Sequence, residues 1–381
     1  MDEMTVLHVA DYGGTYKGSF IAALQFLGES LARRGGRQII ALSDIAADKA
    51  WLPEVRAAGH DVRLLPSNLP ILQQARRIRA IVRDEKVDIV HTHFTTFDVA
   101  ASLVGMLPTG RGHPTRVFWH VHSPWHRSSR TLRGTLRDTI KYRLLSRTAW
   151  TLVVSHGGMT TMRERGLNRH RSRVVENGID TQRLVRDAAL RRRVRRDLGL
   201  DDGDVACLLY GWTPGRKGVD LAMAAVEELR RTGVPAVLLV VGGDETKLAI
   251  DALSGGEARA WVQLVPPTDA IAEYLNASDV FVSASRSEGF SYAVAEALAF
   301  GLPVVTSRIR GLEWAEQMPA AVGFVSEDAH GLAQALRDVL EWPMEERRAR
   351  ADTSRQRVVA SYALEAWAER MIDAYAWARS A

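Results

Sequence analysis

The sequence predicts an α/β fold built from two Rossmann-like, doubly wound domains that face each other across a central cleft. Short apolar, β-branched runs alternate with longer helical patterns along the whole chain, as they do in parallel α/β units. Most of these runs are continuously apolar, which is typical of strands buried on both faces of a sheet. The pattern restarts after Asp180, and the 381 residues are about twice the length of a usual domain.

The predicted strands form one set in each half of the chain. The first set is TVLHVA, RQIIALS, DVRLLP, VDIVHTH, TRVFWHVH, TLVVSH and RVVENGID. The second set is VACLLYG, AVLLVVGG, WVQLVP, DVFVSAS and LPVVTS. In the helical pattern after Gly218, apolar residues recur near a 3.6-residue period and predict a stripe that packs on the sheet. The residues of this stripe are Val219, Met223, Val226 and Leu229.

The boundary between the domains is predicted near residues 180–205. The N-terminal domain is assigned residues 1–183 and the C-terminal domain residues 184–360. No long Gly/Ser-rich or Pro-rich linker separates them, so the two domains are expected to lie against each other. Ligands of such sheets bind at the carboxyl ends of strands, and the functional residues are therefore expected to follow strands.

The chain carries a net charge of +5, and its excess of arginine lies mainly in two clusters, from Trp125 to Arg147 and from Arg183 to Arg196. Such clusters attract anionic lipid, nucleic acid or phosphorylated ligands, but the preferred interpretation is a solvent-exposed helix face. In the first cluster, basic residues at three- and four-residue spacing predict one such face. They are Arg130, Arg133, Arg137 and Lys141. The apolar residues between them are alternatively expected to pack on the sheet. They include Leu132, Leu136, Ile140 and Leu144.

Several features favour a soluble, cytoplasmic protein. No apolar run approaches the roughly eighteen residues that a membrane-spanning helix needs. The first residues, MDEMTVLHVADYGG, are acidic and do not resemble a signal peptide. Cys207 is the only cysteine and lies in an apolar run, so it is expected to be an unreactive core residue without a disulfide partner.

The most informative segment follows the predicted strand DVFVSAS and reads SRSEGFSYAVAEALAFGLPVVTS from residue 285. Glu288 precedes a predicted helix over Tyr292–Phe300, and Glu296 lies within that helix. If the intervening residues are helical, the eight steps from one glutamate to the other cover about 12 Å. One carboxylate can therefore accept hydrogen bonds from a sugar and the other from a ribose, although two surface glutamates on an amphipathic helix are the alternative. Free amides at the helix start are suited to hold a phosphate. They belong to Gly289, Phe290 and Ser291.

Two glycine-rich turns follow other predicted strands. YGWTPGRKG begins at Tyr210 and opens a helix, and its Arg216 and Lys217 suit a diphosphate. The alternative is an ordinary turn with a solvated basic pair. DYGGTYKG begins at Asp11 and contains Gly13 and Gly14, which do not match the dinucleotide fingerprint G-x-G-x-x-G. A tight strand-to-helix turn would also explain this second glycine pair.

Histidines cluster at the ends of predicted strands. They are His91, His93, His120, His122 and His156. Imidazoles are common zinc ligands. However, alternating residues of a strand are taken to point to opposite faces, so His120 and His122 are expected to need a turn in order to converge. The interpretation is therefore a set of hydrogen-bonded structural histidines without a metal.

These segments resemble the family 4 glycosyltransferases of the GT-B fold, and the resemblance extends along nearly the whole chain. In that family the first glutamate of E-x7-E binds the transferred sugar and the second binds the ribose, which implies these roles for Glu288 and Glu296. An arginine and a lysine of the family neutralise the donor diphosphate. Lys217 matches this lysine. Trp212 stands where the arginine is expected, and Arg216 is the candidate to replace it.

The same resemblance implies roles for the N-terminal domain. Gly13 and Gly14 resemble the family's Gly-Gly loop, which lies against the donor diphosphate and the acceptor. A histidine of the family that touches the donor sugar matches His122, with His120 as the substitute. The final helix, within residues 361–381, is expected to pack back on the N-terminal domain, as it does in this fold.

The resemblance implies transfer of a hexosyl or related sugar from a nucleotide diphosphate sugar, of the UDP type in preference to the GDP type, with retention of anomeric configuration. The implied catalytic residues are Glu288, His122 and Lys217, with no cofactor and no metal. The acceptor is left open between a small molecule, a glycan and a lipid-linked molecule. The first basic cluster is a candidate for weak contact with the inner face of an anionic membrane. A nucleotide-sugar epimerase is the alternative enzyme. A nucleic-acid or anionic-surface binding protein is a remote alternative, and nucleic acid is not expected as a partner.

Overall fold

The computed structural model of the protein describes residues 4–108, 114–123, 132–256 and 259–380, with the backbone alone for residues 132–137. Contacts divide the chain into two units. The first comprises Met1–Gly178 and Leu364–Ala381, and the second comprises Ile179–Ala363. Each unit contains one parallel sheet with helices packed on it, so the predicted α/β class with two Rossmann-like domains is confirmed.

The strands of the first unit are β1 (Thr5–Ala10), β2 (Arg37–Ser43), β3 (Asp61–Leu65), β4 (Ile89–His93), β5 (Arg116–Val121), β6 (Trp150–Val153) and β7 (Ser172–Val174). Its helices are α1 (Gly18–Ala32), α2 (Trp51–Ala57), α3 (Ile71–Asp84), α4 (Asp98–Gly105), α5 (Leu132–Arg143), α6 (His156–Glu164) and, from the end of the chain, α15 (Leu364–Ser380). All neighbouring strands of this sheet are parallel, in the order β3-β2-β1-β4-β5-β6-β7.

The strands of the second unit are β8 (Val205–Tyr210), β9 (Ala236–Val241), β10 (Val262–Val265), β11 (Val280–Ser283), β12 (Val304–Arg308) and β13 (Ala321–Val325). Its helices are α7 (Ala188–Asp197), α8 (Pro214–Lys217), α9 (Val219–Arg231), α10 (Asp244–Leu253), α11 (Ile271–Ala277), α12 (Tyr292–Phe300), α13 (Ala329–Glu341) and α14 (Met344–Tyr362). The sheet is parallel, in the order β10-β9-β8-β11-β12-β13. Short 3₁₀ turns in the two units occupy Asp44–Ala46, Leu145–Arg147, Arg169–Arg171 and Ala315–Gln317.

Each sheet reverses its strand order at one point, between β1 and β4 in the first unit and between β8 and β11 in the second. At such a point the chain leaves neighbouring strands in opposite directions, which opens a crevice at their carboxyl ends where ligands bind. The turns after β8 and β11 carry the two segments that the sequence marks as donor-binding. The turn after β1 and the end of β4 carry Gly13, Gly14 and His93.

Local sequence determines where α12 begins and ends. The Ser291 hydroxyl accepts a hydrogen bond from the Val294 amide at 3.4 Å, and Gly301 ends the helix in the left-handed conformation at a φ of 89°. A serine cap and a terminal glycine of this kind are the usual helix boundaries, because they satisfy end groups and tolerate positive φ. The predicted helix over Tyr292–Phe300 is confirmed.

The last helix, α15, belongs to the core of the first unit. Trp367, Met371, Ile372 and Tyr375 are buried and share one cluster of apolar side chains with residues of β5 and β6. Helix α15 also packs against α1. The predicted strand RVVENGID is shorter than expected and ends at Val174.

The second arginine cluster is only in part the solvent-exposed helix face that was preferred for it. Arg195 is 6% exposed and donates hydrogen bonds to the carbonyl of Ala277 and to Asp279. Arg191 donates to the other oxygen of Asp279 at 2.6 Å. These two arginines join α7 to the segment before β11 and are therefore structural. Other arginines of the same helix are exposed, as predicted: Arg192, Arg193 and Arg196.

The first basic cluster is only partly described, because the side chains of Arg130, Arg133 and Arg137 lie outside the described residues. Lys141 is buried, and its Nζ lies 2.7 Å from a carboxylate oxygen of buried Asp98. The prediction that Lys141 belongs to an exposed basic face is therefore wrong. The alternative prediction for the intervening apolar residues is also wrong at two described positions, since Ile140 and Leu144 are 43% and 56% exposed.

Among the described helices, none has the length and hydropathy required to cross a membrane.

Candidate functional site

A buried ionic cluster joins the turns that follow β8 and β11 in the second unit. Glu288 Oε1 accepts hydrogen bonds from Lys217 Nζ at 2.5 Å and from Ser285 Oγ at 2.8 Å. Arg216 lies 3.4 Å from the other oxygen, Oε2, and donates to the carbonyl of Ser287. Glu288 and Lys217 are 7% and 9% exposed. The structure thus brings together three predicted site residues from two segments that are 71 positions apart.

Burial and charge act in opposite directions on this cluster. Burial disfavours the ionised form of Glu288, but Lys217 and Arg216 outweigh it, and the pKa of Glu288 is lowered. Burial lowers the pKa of Lys217, and Glu288 offsets part of that shift. An ammonium group has three N–H donors, so Lys217 can contact an anionic ligand while it keeps Glu288 as a partner.

Two glycines allow close approach of the backbone around this cluster. Gly218 follows Lys217 with a φ of 68°, and a Cβ atom there would lie 2.1 Å from the carbonyl oxygen of Ala284. Gly311 has a φ of 94°, and its Cβ would lie 2.1 Å from the carbonyl oxygen of Glu288. Only glycine fits such positions. Gly311 was not predicted as a residue of the site. The only feature of the sequence that could have indicated it is its position a few residues after the predicted strand LPVVTS.

Glu296 forms a second ion pair, separate from the first. It is 4% exposed in α12, and it accepts a hydrogen bond from Arg183 at 2.9 Å. Within the described residues, the buried hydroxyl of Tyr210 has no hydrogen-bond partner, and burial followed by the charge of Glu296 raises the pKa of Tyr210. Arg183 was not predicted as a site residue, because nothing in the sequence distinguishes it from the other arginines of its cluster.

The segment between the two glutamates presents backbone groups. The Ser291 hydroxyl is used to cap α12, and the ring of Phe290 stacks on Trp314 with centroids 5.1 Å apart. For the amides of Gly289, Phe290 and Ser291 no hydrogen bond is found in the described part of the chain. These amides lie at a helix start, where the helix dipole also favours an anion.

Gly13 and Gly14 lie after β1 in the first unit. A Cβ on Gly13 would approach the Ile45 side chain to 2.7 Å, and one on Gly14 would approach the Tyr12 hydroxyl to 2.8 Å. The carbonyl of Gly14 accepts a hydrogen bond from Trp51 Nε1 at 2.9 Å. Packing inside the unit is therefore sufficient to explain both glycines.

Five histidines form one cluster at neighbouring strands of the first unit. They are His8, His91, His93, His120 and His122. The rings of His91 and His93 have centroids 4.4 Å apart, and those of His120 and His122 are 4.2 Å apart. The expectation that His120 and His122 need a turn in order to converge is wrong, because residues i and i+2 of an extended chain lie on the same face. His156 is exposed and not part of the cluster.

A chain of hydrogen bonds runs through the histidine cluster. His8 Nδ1 lies 3.0 Å from His93 Nε2, and His93 Nδ1 lies 3.0 Å from His122 Nε2. His91 Nδ1 lies 2.7 Å from the hydroxyl of Tyr375. Burial lowers the pKa of each of these rings, and it lowers the pKa of His120 to about 3, although the backbone of Val175 partly offsets the shift. The imidazoles are therefore neutral near pH 7.

The two parallel sheets with helices packed on them are those of the GT-B fold, and comparison with known proteins points to glycosyltransferases of that fold. A family model described as Glycosyl transferases group 1 matches residues 205–341, and one described as Glycosyltransferase Family 4 matches residues 24–183. Together they cover more than three quarters of the chain. The chain belongs to glycosyltransferase family 4.

The relatives of known activity match only part of this chain. Glycogen synthase of Mycobacterium tuberculosis is 35% identical over 195 residues, which are 50% of this chain and 44% of that protein. A GDP-mannose-dependent alpha-(1-6)-phosphatidylinositol monomannoside mannosyltransferase of Mycolicibacterium smegmatis is 35% identical over 35% of this chain and 37% of its own length. The crystal structure of Anabaena Alr3699/HepE in complex with UDP is 15% identical with a TM-score of 0.81, and the match covers 98% of this chain and all of that one. This last similarity concerns the fold alone.

Proposed function

We propose that the protein transfers a sugar from a nucleoside diphosphate sugar to an acceptor, with retention of anomeric configuration and without a required metal ion. The observation that carries the proposal is the buried Lys217–Glu288–Arg216 cluster at the point where the second sheet reverses its strand order. A carboxylate and two cations at this place suit a ligand that combines hydroxyl groups with a diphosphate. Family membership supports the same chemistry.

The leaving diphosphate is the main place where charge develops in such a transfer. Lys217 and Arg216 stabilise it by charge, and the amides of Gly289, Phe290 and Ser291 stabilise it by hydrogen bonds. These groups are held in place before the donor binds, which is the condition for effective electrostatic stabilisation. Glu288 then accepts hydrogen bonds from hydroxyls of the transferred sugar, beside the bond that breaks.

Glu296 binds the ribose hydroxyls in this proposal, and Arg183 orients its carboxylate. His122, Gly13 and Gly14 of the first unit act on the sugar and the diphosphate, as in the family. The UDP type remains our preferred donor. One partial relative uses GDP-mannose and one fold neighbour binds UDP, so a direct screen has to decide between the bases.

The test of the proposal is a screen of nucleoside diphosphate sugars for thermal stabilisation, followed by assays of the stabilising donors with pooled acceptors. We expect stabilisation by one nucleotide class and a glycosylated product whose anomeric configuration, measured by NMR, equals that of the donor. Addition of EDTA should leave the rate unchanged. Donor turnover to an isomeric nucleotide sugar without any acceptor would instead identify an epimerase.

Replacing Glu296 by glutamine is expected to weaken binding of both the free nucleoside diphosphate and the intact donor. Loss of hydrogen bonds to a charged group costs about 1.5–3 kcal/mol, or roughly 10- to 150-fold in Kd. Isothermal titration calorimetry measures the effect, and Glu245→Gln, at an exposed glutamate of α10, is the matched control. Wild-type nucleotide affinity in Glu296→Gln would contradict the ribose role.

Replacing Lys217 by alanine is expected to lower transfer at least about tenfold, because a charge-assisted hydrogen bond to phosphate contributes about 1.5–3 kcal/mol. Circular dichroism should find the fold intact, since Glu288 keeps Ser285 and Arg216 as partners. Lys247→Ala, at an exposed lysine of α10, should transfer at the wild-type rate. If Arg216→Ala transfers at the wild-type rate, as the control should, then Arg216 does not replace the arginine expected at Trp212.

A further inference from the structure

Three imidazoles of the histidine cluster converge at the end of the cluster nearest solvent. His93, His120 and His122 each offer one ring nitrogen, and the three nitrogens lie within 4.8 Å of one another. His93 ends β4 and His120 lies beside it in β5, so hydrogen-bonded strands determine their spacing. His93 and His120 are each 1% exposed, whereas His122 is partly exposed.

The hydrogen bonding of His120 is incomplete among the described residues. Neither its Nδ1 nor its Nε2 has a partner of normal geometry, although the ring is almost fully buried. A buried polar group left unsatisfied costs about 1–3 kcal/mol. A ligand that accepts the lone pair of this ring would remove that cost.

The other two rings are spaced like neighbouring ligands of one ion. His93 Nδ1 and His122 Nε2 lie 3.0 Å apart. Two nitrogens on a tetrahedral zinc ion lie about 3.4 Å apart when each bond is about 2.0–2.1 Å long. A shift of a few tenths of an ångström would convert this hydrogen bond into two metal bonds.

We propose that His93, His120 and His122 bind a divalent transition-metal ion, zinc in the first instance, as a three-histidine site with one position open to solvent. Neutral imidazole is the form that binds metal, and it suits zinc, copper and nickel, whereas magnesium and calcium require oxygen ligands. The partly exposed His122 provides the access route and the open position.

His8 supports this site from the next strand. With His93 Nδ1 on the metal, His93 Nε2 carries the proton and donates it to His8 Nδ1, which lies 3.0 Å away. An outer hydrogen bond of this kind fixes the tautomer and the orientation of a ligating histidine. His8 is therefore a positioning residue of the site.

A second set of three histidines is the less suitable site. His8, His91 and His93 also converge, but all three are at most 1% exposed, and His91 Nδ1 is already 2.7 Å from the Tyr375 hydroxyl. An ion there would have no open position and no access route, so the set that contains His122 is the better metal site.

The test measures metal binding directly in the full chain after treatment with EDTA. Zinc chloride is titrated in competition with a chromophoric chelator, and cobalt(II) chloride is added separately to record visible absorption. We expect one zinc ion per chain and the intense visible bands of four- or five-coordinate cobalt. His120→Gln and His122→Ala should each weaken zinc binding by more than the roughly 10- to 100-fold that loss of an outer partner costs, and His8→Leu should weaken it within that range.

The controls are His156→Ala, at a side chain that is 85% exposed, and His91→Asn, which removes a member of the other set only. Both should bind one zinc ion with wild-type affinity, and thermal unfolding should verify that every variant is folded. The proposal is wrong if the wild type binds no zinc. It is also wrong if binding survives unchanged in both His120→Gln and His122→Ala, or is lost only in His91→Asn.

Zinc should also inhibit transfer, because it would occupy His122, which the proposed function places at the donor sugar. This consequence alone rests on the proposed function. The ratio of the rates with and without zinc should fall well below one for the wild type and stay near one for His120→Gln. A protein that binds zinc as described but transfers no sugar would contradict the proposed function and leave the metal site standing.

Discussion

Replacing Glu288 by glutamine is expected to lower transfer by about 10²- to 10³-fold, because it removes a charged hydrogen-bond acceptor beside the reacting carbon. The same change should lower the free energy of unfolding by about 3–5 kcal/mol, since it leaves the ammonium group of Lys217 buried without its carboxylate partner. Affinity for the free nucleoside diphosphate should change much less than transfer. Steady-state kinetics, calorimetry and urea unfolding measure the three effects.

A double variant separates the catalytic effect from the structural one. Removing both charges of a buried pair is often nearly neutral, whereas removing one is not. Glu288→Gln combined with Lys217→Met should therefore recover most of the lost stability but none of the lost transfer. Recovery of transfer together with stability would mean that Glu288 acts on the fold and not on the sugar.

The pH dependence of stability provides an independent check of the same pair. The pKa of Glu288 is lowered in the folded protein by Lys217 and Arg216, so the folded state binds this proton less readily than the unfolded state. The stabilisation is then fully present above the ordinary glutamate pKa of 4.5 and is lost as the pH falls through the lowered folded value. The difference in unfolding free energy between the wild type and Glu288→Gln should shrink over that acidic range.

Replacing Gly311 by alanine is expected to have the second largest effect, although Gly311 contributes no side chain to the site. Its φ of 94° is unfavourable for alanine by about 1–3 kcal/mol. The new Cβ would also lie 2.1 Å from the carbonyl oxygen of Glu288, a backbone atom that cannot rotate away. Relief of such a clash costs roughly another 1–3 kcal/mol and displaces the turn that carries Glu288. A displacement of about 1 Å would reduce transfer on the order of 10²-fold.

Gly233→Ala is the matched control for this prediction. Gly233 has a φ of 92°, and a Cβ there would meet nothing within 4 Å. It should therefore lose only the part of the unfolding free energy that arises from positive φ, and it should transfer at the wild-type rate. Equal losses in the two variants, measured by urea unfolding, would mean that the contact with Glu288 is not tight.

The sequence by itself determined the class of the fold and the places where functional groups cluster. Continuous apolar runs report burial on both faces of a sheet, and a serine and a glycine mark the two ends of α12. These are local signals, each contained in a few consecutive residues. They placed Glu288, Glu296 and Lys217 in the turns and helix that follow strands, where the structure has them.

Only the tertiary structure decided which of these groups are partners. Lys217 and Glu288 meet because β8 and β11 are neighbours in the sheet, although six elements of the chain separate these two strands: α8, α9, β9, α10, β10 and α11. The same applies to Arg183 with Glu296, and to the five histidines, which converge because β4 lies between β1 and β5. Strand order depends on how all the elements pack together. Periodicity within a segment contains no information about that order, so contacts between distant segments could be found only in the folded chain.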